Sequence, residues 1–417
     1  PRAPAGGGGV SAGASVGTAE PAPRGAGRRP AVAAPAPCRV LVIGQDLGYL
    51  VRFRGHLVRA LVAGGNEVVV TTPDPEPAAS PVAALGARYH RMPFSRAGMN
   101  PVLELRDVAR LRREIAAVAP DAVFAYGAKA AALGLLAAAQ AGVKRRYAML
   151  AGLGFAFVED GRRSPKRAAA RAVQLLLYRL NFAGTRAVIF HNADDRDELV
   201  RRGAVRRDKT VVVPGSGVPV ERFVPTPHPA GPARFLFVGR LLRSKGVEEL
   251  VEAAALLRAA VPGAEVHLVG GEDANPDSAD AALLAAAVAR GDVVLHGQVS
   301  DVRPFLERAS VFVLPSYREG MPRAALEALA AGRTTIVTDV PGCREVVRPG
   351  RHGTLVPPRS VEALAAAMIA YARDPERVAR EGLAARESAE RDFDVRKVTA
   401  RMLEALELPG DPDVAGP

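Results

Sequence analysis

The chain carries the stretch VFVLPSYREGMPRAALEAL from residue 311 to residue 329. Its first four residues, Val311 to Leu314, are all apolar and predict a buried β-strand. The Ala/Leu-rich end predicts a helix with Pro322 at its first position, where proline is favoured. Free N–H groups and the helix dipole make the start of such a helix suited to an anion such as a pyrophosphate. The stretch therefore predicts a strand–loop–helix unit of an α/β protein, with an anion site in its loop.

Two carboxylates flank this expected anion site. Glu319 lies in the loop, whereas Glu327 lies roughly 7.5 Å further along the helix axis, too deep to meet a phosphate at the helix start. Carboxylates bind hydroxyl groups well, and this placement suits the hydroxyls on either side of the pyrophosphate of a nucleotide sugar. The alternative explanation for two glutamates at this spacing is a solvated helix face.

A second strand and turn lie about 75 residues earlier in the chain. Phe235 to Val238 predict the strand, Arg240 follows it, and the run Ser244-Lys245-Gly246 precedes an expected helix. This turn, together with the Glu-x7-Glu spacing, resembles the retaining GT-B glycosyltransferases of family 4. The resemblance implies a nucleotide-sugar co-substrate and no cofactor. The residues that it assigns to the donor are Gly239, Arg240, Lys245, Glu319, Gly320, Met321 and Glu327.

The resemblance also implies a role for each of these groups. Arg240 and Lys245 would act in catalysis by stabilising the departing UDP, because fixed cations aimed at a leaving group favour the transition state over the ground state. Glu319, the third expected catalytic residue, would hold the hydroxyls of the donor sugar, and Glu327 would hold the ribose. The two residues after Glu319 would supply backbone N–H groups. Retention at the anomeric carbon is what the family implies.

Further motifs resemble one bacterial branch of this family, that of the diacetylbacillosaminyl-diphospho-undecaprenol N-acetylgalactosaminyltransferases. The resemblance covers roughly residues 38 to 408 and implies transfer of a hexosamine, GalNAc or GlcNAc, from a UDP-sugar to a polyprenyl-diphosphate-linked saccharide. Gly127, Ala130, Phe155 and His191 depart from the branch pattern in the acceptor-binding half, so they bear on the identity of the acceptor. The motifs are SRAGMNP at 95–101, YGAK at 126–129, GLGFAF at 152–157, PGSGV at 214–218 and DVPGCREVV at 339–347.

Length and apolar content predict two domains, since 417 residues with 48% hydrophobic residues exceed what one core usually serves. Strands alternate with helices from Cys38 onward, which predicts two Rossmann-like doubly wound domains that face a cleft. The expected organisation is a disordered low-complexity tail (1–37) without the apolar core of a signal peptide, an acceptor-binding domain (38–216), a nucleotide-sugar-binding domain (217–385), a helix that crosses back to the first domain (386–408) and a tail (409–417).

The expected strands of the first domain are Arg39–Ile43, Glu67–Thr72, Asp121–Ala125, Tyr147–Leu150, Arg186–Phe190 and Thr210–Val213. Those of the second domain begin at Arg234 and continue with Glu265–Val269, Val293–Leu295, Val311–Leu314, Thr334–Val337 and Thr354–Val356. A helix is expected over Leu103–Val118.

Composition excludes some classes of function. The two cysteines, Cys38 and Cys343, fall in different expected domains, so we expect no disulfide and a cytoplasmic location. No stretch is long and apolar enough to predict a transmembrane helix. The seven histidines show no ligand spacing, which argues against a catalytic metal. The net charge of +12 suits anionic partners, yet only 5% of the residues are aromatic, which argues against nucleic acid.

The segment from Arg162 to Leu180 has six basic residues and no acidic residue. Val173, Leu176, Leu177 and Leu180 share one face at helical spacing, which predicts a helix that lies on a membrane surface. We therefore expect the protein to bind the anionic inner face of the cytoplasmic membrane peripherally. The alternative is an ordinary amphipathic helix that packs its leucines inward and leaves its basic side in solvent.

Three residues of the first domain are candidates for contact with the acceptor: His56, Arg96 and Lys129. His56 would lie on the first helix and could face the cleft, although a lone histidine is more often structural. One alternative function is a GT-B transferase that uses GDP-mannose or UDP-glucose on another glycan. A second alternative is a non-catalytic, basic protein that binds membranes or nucleic acid.

Overall fold

The computed structural model describes residues 36–95, 101–154, 157, 165–271 and 277–414. Two parallel β-sheets form the framework of the region from Ala36 onward, which is one compact unit. The first-half strands are β1 (Arg39–Ile43), β2 (Glu67–Thr71), β3 (Arg88–Tyr89), β4 (Ala122–Tyr126), β5 (Arg145–Leu150), β6 (Ala187–Phe190) and β7 (Thr210–Val212). The second-half strands are β8 (Arg234–Val238), β9 (Glu265–Val269), β10 (Val294–Leu295), β11 (Val311–Leu314), β12 (Thr334–Thr338) and β13 (Gly353–Val356).

The helices connect these strands. In the first half they are α1 (Leu47–Ala63), α2 (Pro101–Val118), α3 (Leu135–Gln140), α4 (Pro165–Phe182) and α5 (Ala193–Arg201). In the second half they are α6 (Val247–Ala260), α7 (Ala281–Arg290), α8 (Arg303–Arg308), α9 (Arg323–Ala330), α10 (Val361–Ala372), α11 (Pro375–Ser388) and α12 (Val395–Leu406).

The first sheet has the strand order β3-β2-β1-β4-β5-β6-β7, and its neighbours pair in parallel. Alternate residues of each strand point to opposite faces, so Leu41 and Ile43 join one apolar core while Val40 and Val42 join the other. Both faces of the sheet are therefore covered, as parallel sheets require. The order reverses between β1 and β4, which marks the switch point of a doubly wound domain.

The second sheet repeats this plan with the order β10-β9-β8-β11-β12-β13. Its switch point lies between β8 and β11, where Val311 pairs with Phe235 and Phe312 pairs with Leu236. One large apolar core surrounds this sheet. The prediction of two Rossmann-like domains is confirmed. The short strand β3 was not predicted, because two residues give no periodic signal.

Two segments of chain connect the domains, and they pair with each other. Val218 donates from its backbone N–H to Phe393 O at 2.8 Å, and Val395 N–H donates to Val218 O at 3.0 Å. After this pair, α12 packs on the first sheet, where its apolar residues share a core with β1 and α1. The chain then continues along α1, since Asp411 N–H donates to Ala60 O at 3.0 Å. These core residues of α12 are Val398, Met402, Leu403 and Leu406.

Helix α4 packs through a different face from the one that carries its leucine stripe. Tyr178 and Phe182 are buried and stack with ring centroids 4.8 Å apart. Val173, Leu176 and Leu180 are instead 49%, 55% and 66% exposed. The alternative expectation that the leucines pack inward is therefore wrong for these three residues, because the aromatic face takes the buried position.

None of the described helices combines the length and the apolar character that crossing a membrane requires. Pro322 precedes α9 as its N-cap with a φ of −74°, so the helix begins at Arg323 and the expected first position is wrong by one residue. Residues 1–35 of the expected tail lie outside the described residues.

Candidate active site

The two donor-site motifs predicted from the sequence, the turn after β8 and the loop after β11, lie side by side at the switch point of the second sheet. β8 leads into the turn from Gly239 to Gly246, and the neighbouring strand β11 leads into the loop from Pro315 to Pro322. Tyr317 N–H donates to Ser244 O at 2.9 Å, which joins the turn to the loop. A Cβ atom at Gly246 would lie 2.1 Å from Pro315 O, so only glycine allows this approach. Ligands of doubly wound domains bind at such a switch point.

An ion pair between Lys245 and Glu319 links the two motifs directly. The Lys245 ammonium donates to Glu319 Oε1, which also accepts a hydrogen bond from Ser316 Oγ at 2.8 Å. The two charged side chains are only 24% and 12% exposed. A cation and a carboxylate thus lie side by side in a partly dry site, where their fields act strongly on a charged ligand.

The amino-terminal end of α6 lies next to the Lys245–Glu319 pair. Gly246 caps the helix with a φ of 70°, a left-handed conformation that favours glycine. Tyr317 OH donates to the carboxylate of Glu249 in the first turn of α6. Arg240, the other expected phosphate ligand, follows β8 directly and its side chain is exposed. Gly239 is hydrogen-bonded to the neighbouring strand β9, since its N–H donates to Val269 O at 3.0 Å.

Glu327 lies four residues after Arg323, the first residue of α9, and is buried. Its Oε1 accepts a hydrogen bond from Arg323 Nε at 3.0 Å, four residues earlier on the same helix. Arg323 also lies 3.3 Å from Ser216 Oγ in the segment that connects the domains. Glu327 lies one residue less deep in the helix than expected, because α9 begins at Arg323, and its role toward a ribose remains a prediction.

Gly320 is the point where the loop contacts the first domain. Asn192 Nδ2 donates to Gly320 O at 2.7 Å. A Cβ atom at Gly320 would lie only 1.5 Å from Ala151 O, beyond β5 of the first sheet. Met321 packs next to Gly215, because a Cβ atom at Gly215 would lie only 2.7 Å from Met321 Cγ. The loop that carries Glu319 is therefore enclosed by both domains.

Two ion pairs cross the same boundary. Arg318 donates to the carboxylate of Asp195, which is fully buried in the first turn of α5. Burial raises the pKa of Asp195, and the Arg318 cation opposes that rise. Arg344 Nη1 lies 3.0 Å from Asp194 Oδ2 nearby. The start of α5 thus binds loops of the second domain through charge as well as through Asn192.

The two described acceptor candidates, His56 and Lys129, contact side chains of different helices. Lys129 follows β4 and pairs with Glu104 Oε1 at 3.4 Å, with both side chains mostly buried. His56 Nδ1 lies 3.2 Å from Thr399 Oγ1 of α12, a contact that favours the structural alternative for this histidine. Burial lowers the pKa of His56, so its imidazole is neutral in this contact. Arg96 lies outside the described residues.

Sequence reasoning missed several residues of this boundary. Asn192 and Asp195 follow β6, where polar residues at the carboxyl end of a strand were a usable signal. Arg54 is buried on α1, and the signal was a cation at a position whose helical neighbours, Leu50 and Leu57, are apolar. In the described part of the chain, no cluster of three His, Cys, Asp or Glu side chains has the arrangement that a metal ion needs.

Comparisons with known proteins agree with this geometry. A family model described as "Glycosyl transferase 4-like domain" matches residues 50–216, and one described as "Glycosyl transferases group 1" matches residues 232–374. The N,N'-diacetylbacillosaminyl-diphospho-undecaprenol alpha-1,3-N-acetylgalactosaminyltransferase of Campylobacter jejuni is 30% identical over 315 residues, which cover 72% of this chain and 80% of that protein.

Solved structures share the fold. Sucrose-phosphate synthase from Thermosynechococcus elongatus superposes with a TM-score of 0.71 at 22% identity, covering 88% of this chain and 97% of that chain. Anabaena HepE in complex with UDP and glucose gives a TM-score of 0.71 at 17% identity, covering 88% of this chain and 99% of that chain. The chain therefore belongs to the GT-B glycosyltransferases of family 4, and within that family it is similar to the Campylobacter jejuni N-acetylgalactosaminyltransferase and its branch.

Proposed function

We propose that this glycosyltransferase moves a hexosamine, GalNAc or GlcNAc, from a UDP-sugar to a polyprenyl-diphosphate-linked saccharide, with retention at the anomeric carbon. The observation that carries the donor side of the proposal is the Lys245–Glu319 ion pair at the switch point. It places a cation for a diphosphate beside a carboxylate for sugar hydroxyls. The Anabaena neighbour was solved with UDP and glucose, which supports a UDP-sugar as the donor class.

The donor would bind across the turn after β8 and the loop after β11. Lys245 and Arg240 would neutralise the charge that develops on UDP as the glycosidic bond breaks, because cations aimed at a leaving group act mainly in the transition state. Glu319 would orient the donor sugar, and Glu327 would hold the ribose. The start of α9, behind Gly320 and Met321, would direct backbone N–H groups at the diphosphate.

Retention would follow from attack on the same face that UDP leaves. The departing phosphate is the nearest base to the acceptor hydroxyl in such a geometry, so it would take the acceptor proton. This route needs no protein nucleophile and no metal. What the protein supplies is the position of both substrates and a field that favours the separated charges.

The exposed leucine stripe of α4 supports a lipid-linked acceptor. Leu176 and Leu180 lie in solvent on a helix that also carries Arg171 and Arg179. An apolar stripe beside arginines fits a membrane surface with anionic lipids, where leucines enter the headgroup boundary and arginines contact phosphates. The name of the Campylobacter jejuni relative includes a diphospho-undecaprenol acceptor, and we extend that acceptor class to this chain.

The closest alternative donor is another nucleotide sugar, such as UDP-glucose or GDP-mannose. One structure of the Anabaena neighbour holds UDP-glucose, which favours UDP-glucose over GDP-mannose as the alternative donor. A non-catalytic, basic membrane protein or nucleic-acid-binding protein is disfavoured by the ion pair between Lys245 and Glu319, since such a protein has no need of a charged pair at the switch point.

The experiment that tests the proposal measures binding and hydrolysis of UDP-, GDP- and ADP-sugars by the purified protein without added metal. We expect preference for a UDP-hexosamine, then transfer to a polyprenyl-diphosphate saccharide. Glu319→Gln is expected to lower turnover while UDP still binds. Glu252→Gln, an exposed position on α6, is the matched control and should change neither property. Equal turnover in both variants would contradict the role given to Glu319.

A further inference from the structure

Helix α1 buries an arginine in its apolar face. Leu47, Leu50, Leu57 and Leu61 point into the core of the first domain, and Arg54 occupies the same stripe. Arg54 is only 3% exposed to solvent. A guanidinium is always charged under ordinary conditions, so the helix carries a buried cation where its pattern calls for a leucine.

The partners of Arg54 do not neutralise its charge. Nη2 donates to His191 Nε2 at 2.8 Å, and the guanidinium carbon lies 5.7 Å from the centre of the Tyr126 ring. Burial lowers the pKa of His191 well below its usual value, so this imidazole is a neutral acceptor. Within the described residues no carboxylate lies at ion-pair distance from Arg54. Arg54 Nε and Tyr126 OH are both buried without a hydrogen-bond partner.

Such an arrangement is costly for the protein alone. Removing a cation from water costs more than one hydrogen bond to a neutral imidazole and one cation–π contact return. A leucine or methionine on this stripe would serve packing better. Buried, unsatisfied charges of this kind are found where a ligand supplies the missing partner, and a cation calls for an anion.

The position of Arg54 shows which ligand could reach it. His191 directly precedes Asn192, which donates to Gly320 O of the loop that carries Glu319. Tyr126 ends β4, at the carboxyl edge of the sheet that faces the other domain. Arg323 of α9 lies 5.4 Å from the Phe53 ring and adds its charge to the surroundings of Arg54. Arg54 therefore lies near the boundary between the domains and belongs to the first domain, whereas the Lys245–Glu319 pair belongs to the second.

We propose that Arg54 binds an oxygen of a substrate diphosphate when the cleft is occupied, with Tyr126 OH as a second donor to the same anion. This inference rests on the proposed function, because it assumes that a diphosphate enters the cleft. The anion is a diphosphate ester in either case, whether it belongs to the nucleotide sugar or to the lipid-linked acceptor. Arg54 is thus a binding residue supplied by the acceptor-side domain, in addition to those that the sequence motifs assign.

The test compares Arg54→Met and Arg54→Lys with the wild type in two measurements. Affinity is measured by calorimetry for UDP and, separately, for a short-chain polyprenyl diphosphate; stability is measured by urea unfolding without ligand. We expect Arg54→Met to unfold at the same or a higher urea concentration than the wild type, yet to bind one of the two diphosphates about 10- to 100-fold more weakly, the range of a charge-assisted hydrogen bond. Arg54→Lys keeps the charge and should bind more tightly than the methionine variant.

The ligand that loses affinity identifies the source of the anion. Loss for UDP assigns Arg54 to the donor, and loss for the polyprenyl diphosphate assigns it to the acceptor. Arg380→Met, an exposed arginine on α11, is the matched control and should leave both affinities unchanged. If Arg54→Met is less stable but binds both ligands as tightly as the wild type, then Arg54 is a structural residue. That result would overturn this inference and leave the proposed function intact. Failure of the wild type to bind either ligand would overturn the proposed function with it.

Discussion

Gly320→Ala should separate the two domains at one point without disturbing either core. The new Cβ atom would lie 1.5 Å from Ala151 O, whereas real Cβ atoms essentially never come within 3.0 Å of another heavy atom. The loop and the first domain must therefore move apart by about 1.5 Å, and the Asn192–Gly320 hydrogen bond must stretch or break. A misplacement of about 1 Å costs an enzyme roughly 100-fold, so we expect kcat to fall by about that factor, or about 2.7 kcal/mol.

The assay has a kinetic part and a structural part. Transfer or hydrolysis of the preferred donor gives kcat, and small-angle X-ray scattering gives the radius of gyration, which should increase as the cleft opens. Gly55→Ala on α1 is the control, because its methyl group meets only Leu85, at 3.4 Å. If Gly320→Ala keeps the kcat and the radius of gyration of the wild type, then the contact with Ala151 does not define the active arrangement and the reasoning is refuted.

Three further predictions address other parts of the molecule. Glu327→Ala should weaken UDP binding by about 10- to 100-fold, since it removes a charged hydrogen-bonding group, and calorimetry that finds unchanged affinity would contradict the ribose role. Burial lowers the pKa of His352 to about 4, below its unfolded value near 6.5, so the fold loses stability as pH falls from about 6.5 to about 4. The free energy of unfolding, measured by urea titration, should therefore fall by about 2 kcal/mol less between pH 7 and pH 5 in His352→Leu than in the wild type. An unchanged pH dependence would mean that His352 does not cause it. Leu176→Ser combined with Leu180→Ser should lower pelleting with anionic liposomes by about tenfold or more, whereas Leu383→Ser, at a still more exposed leucine on α11, should have no effect. Equal loss in both variants would point to non-specific adsorption.

The strands were predictable because parallel strands are buried on both faces. Arg39–Ile43, Glu265–Val269 and Val311–Leu314 have the bounds expected from their apolar runs, and the other expected strands differ by a residue or two at their ends. The order of the strands follows from the doubly wound plan, which brings the turn after β8 next to the loop after β11. The proximity of Lys245 and Glu319 was therefore within reach of sequence reasoning.

What could not be predicted depends on contacts between distant segments. Helix α4 is apolar on more than one side, so its periodicity does not say whether Tyr178 or Leu176 faces the core. The environment of Arg54 depends on the position of His191 after β6 and on the packing of the two domains. Neither produces a pattern in the local sequence. The same is true of the Asn192–Gly320 contact, because a spacing of 128 residues carries no periodic signal.

The return of the chain to the first domain has a consequence for folding during synthesis. The core that covers β1 and α1 includes Val398, Met402 and Leu406 of α12, which follows every strand of both sheets in the chain. The first domain is therefore complete only after α12 has been made, whereas the residues of the second sheet and its core all precede α12. Domains usually fold from the amino terminus onward, and we expect this architecture to delay the first domain relative to the second. Loss of the carboxyl-terminal helix would accordingly damage the half of the protein that is most distant from it in sequence.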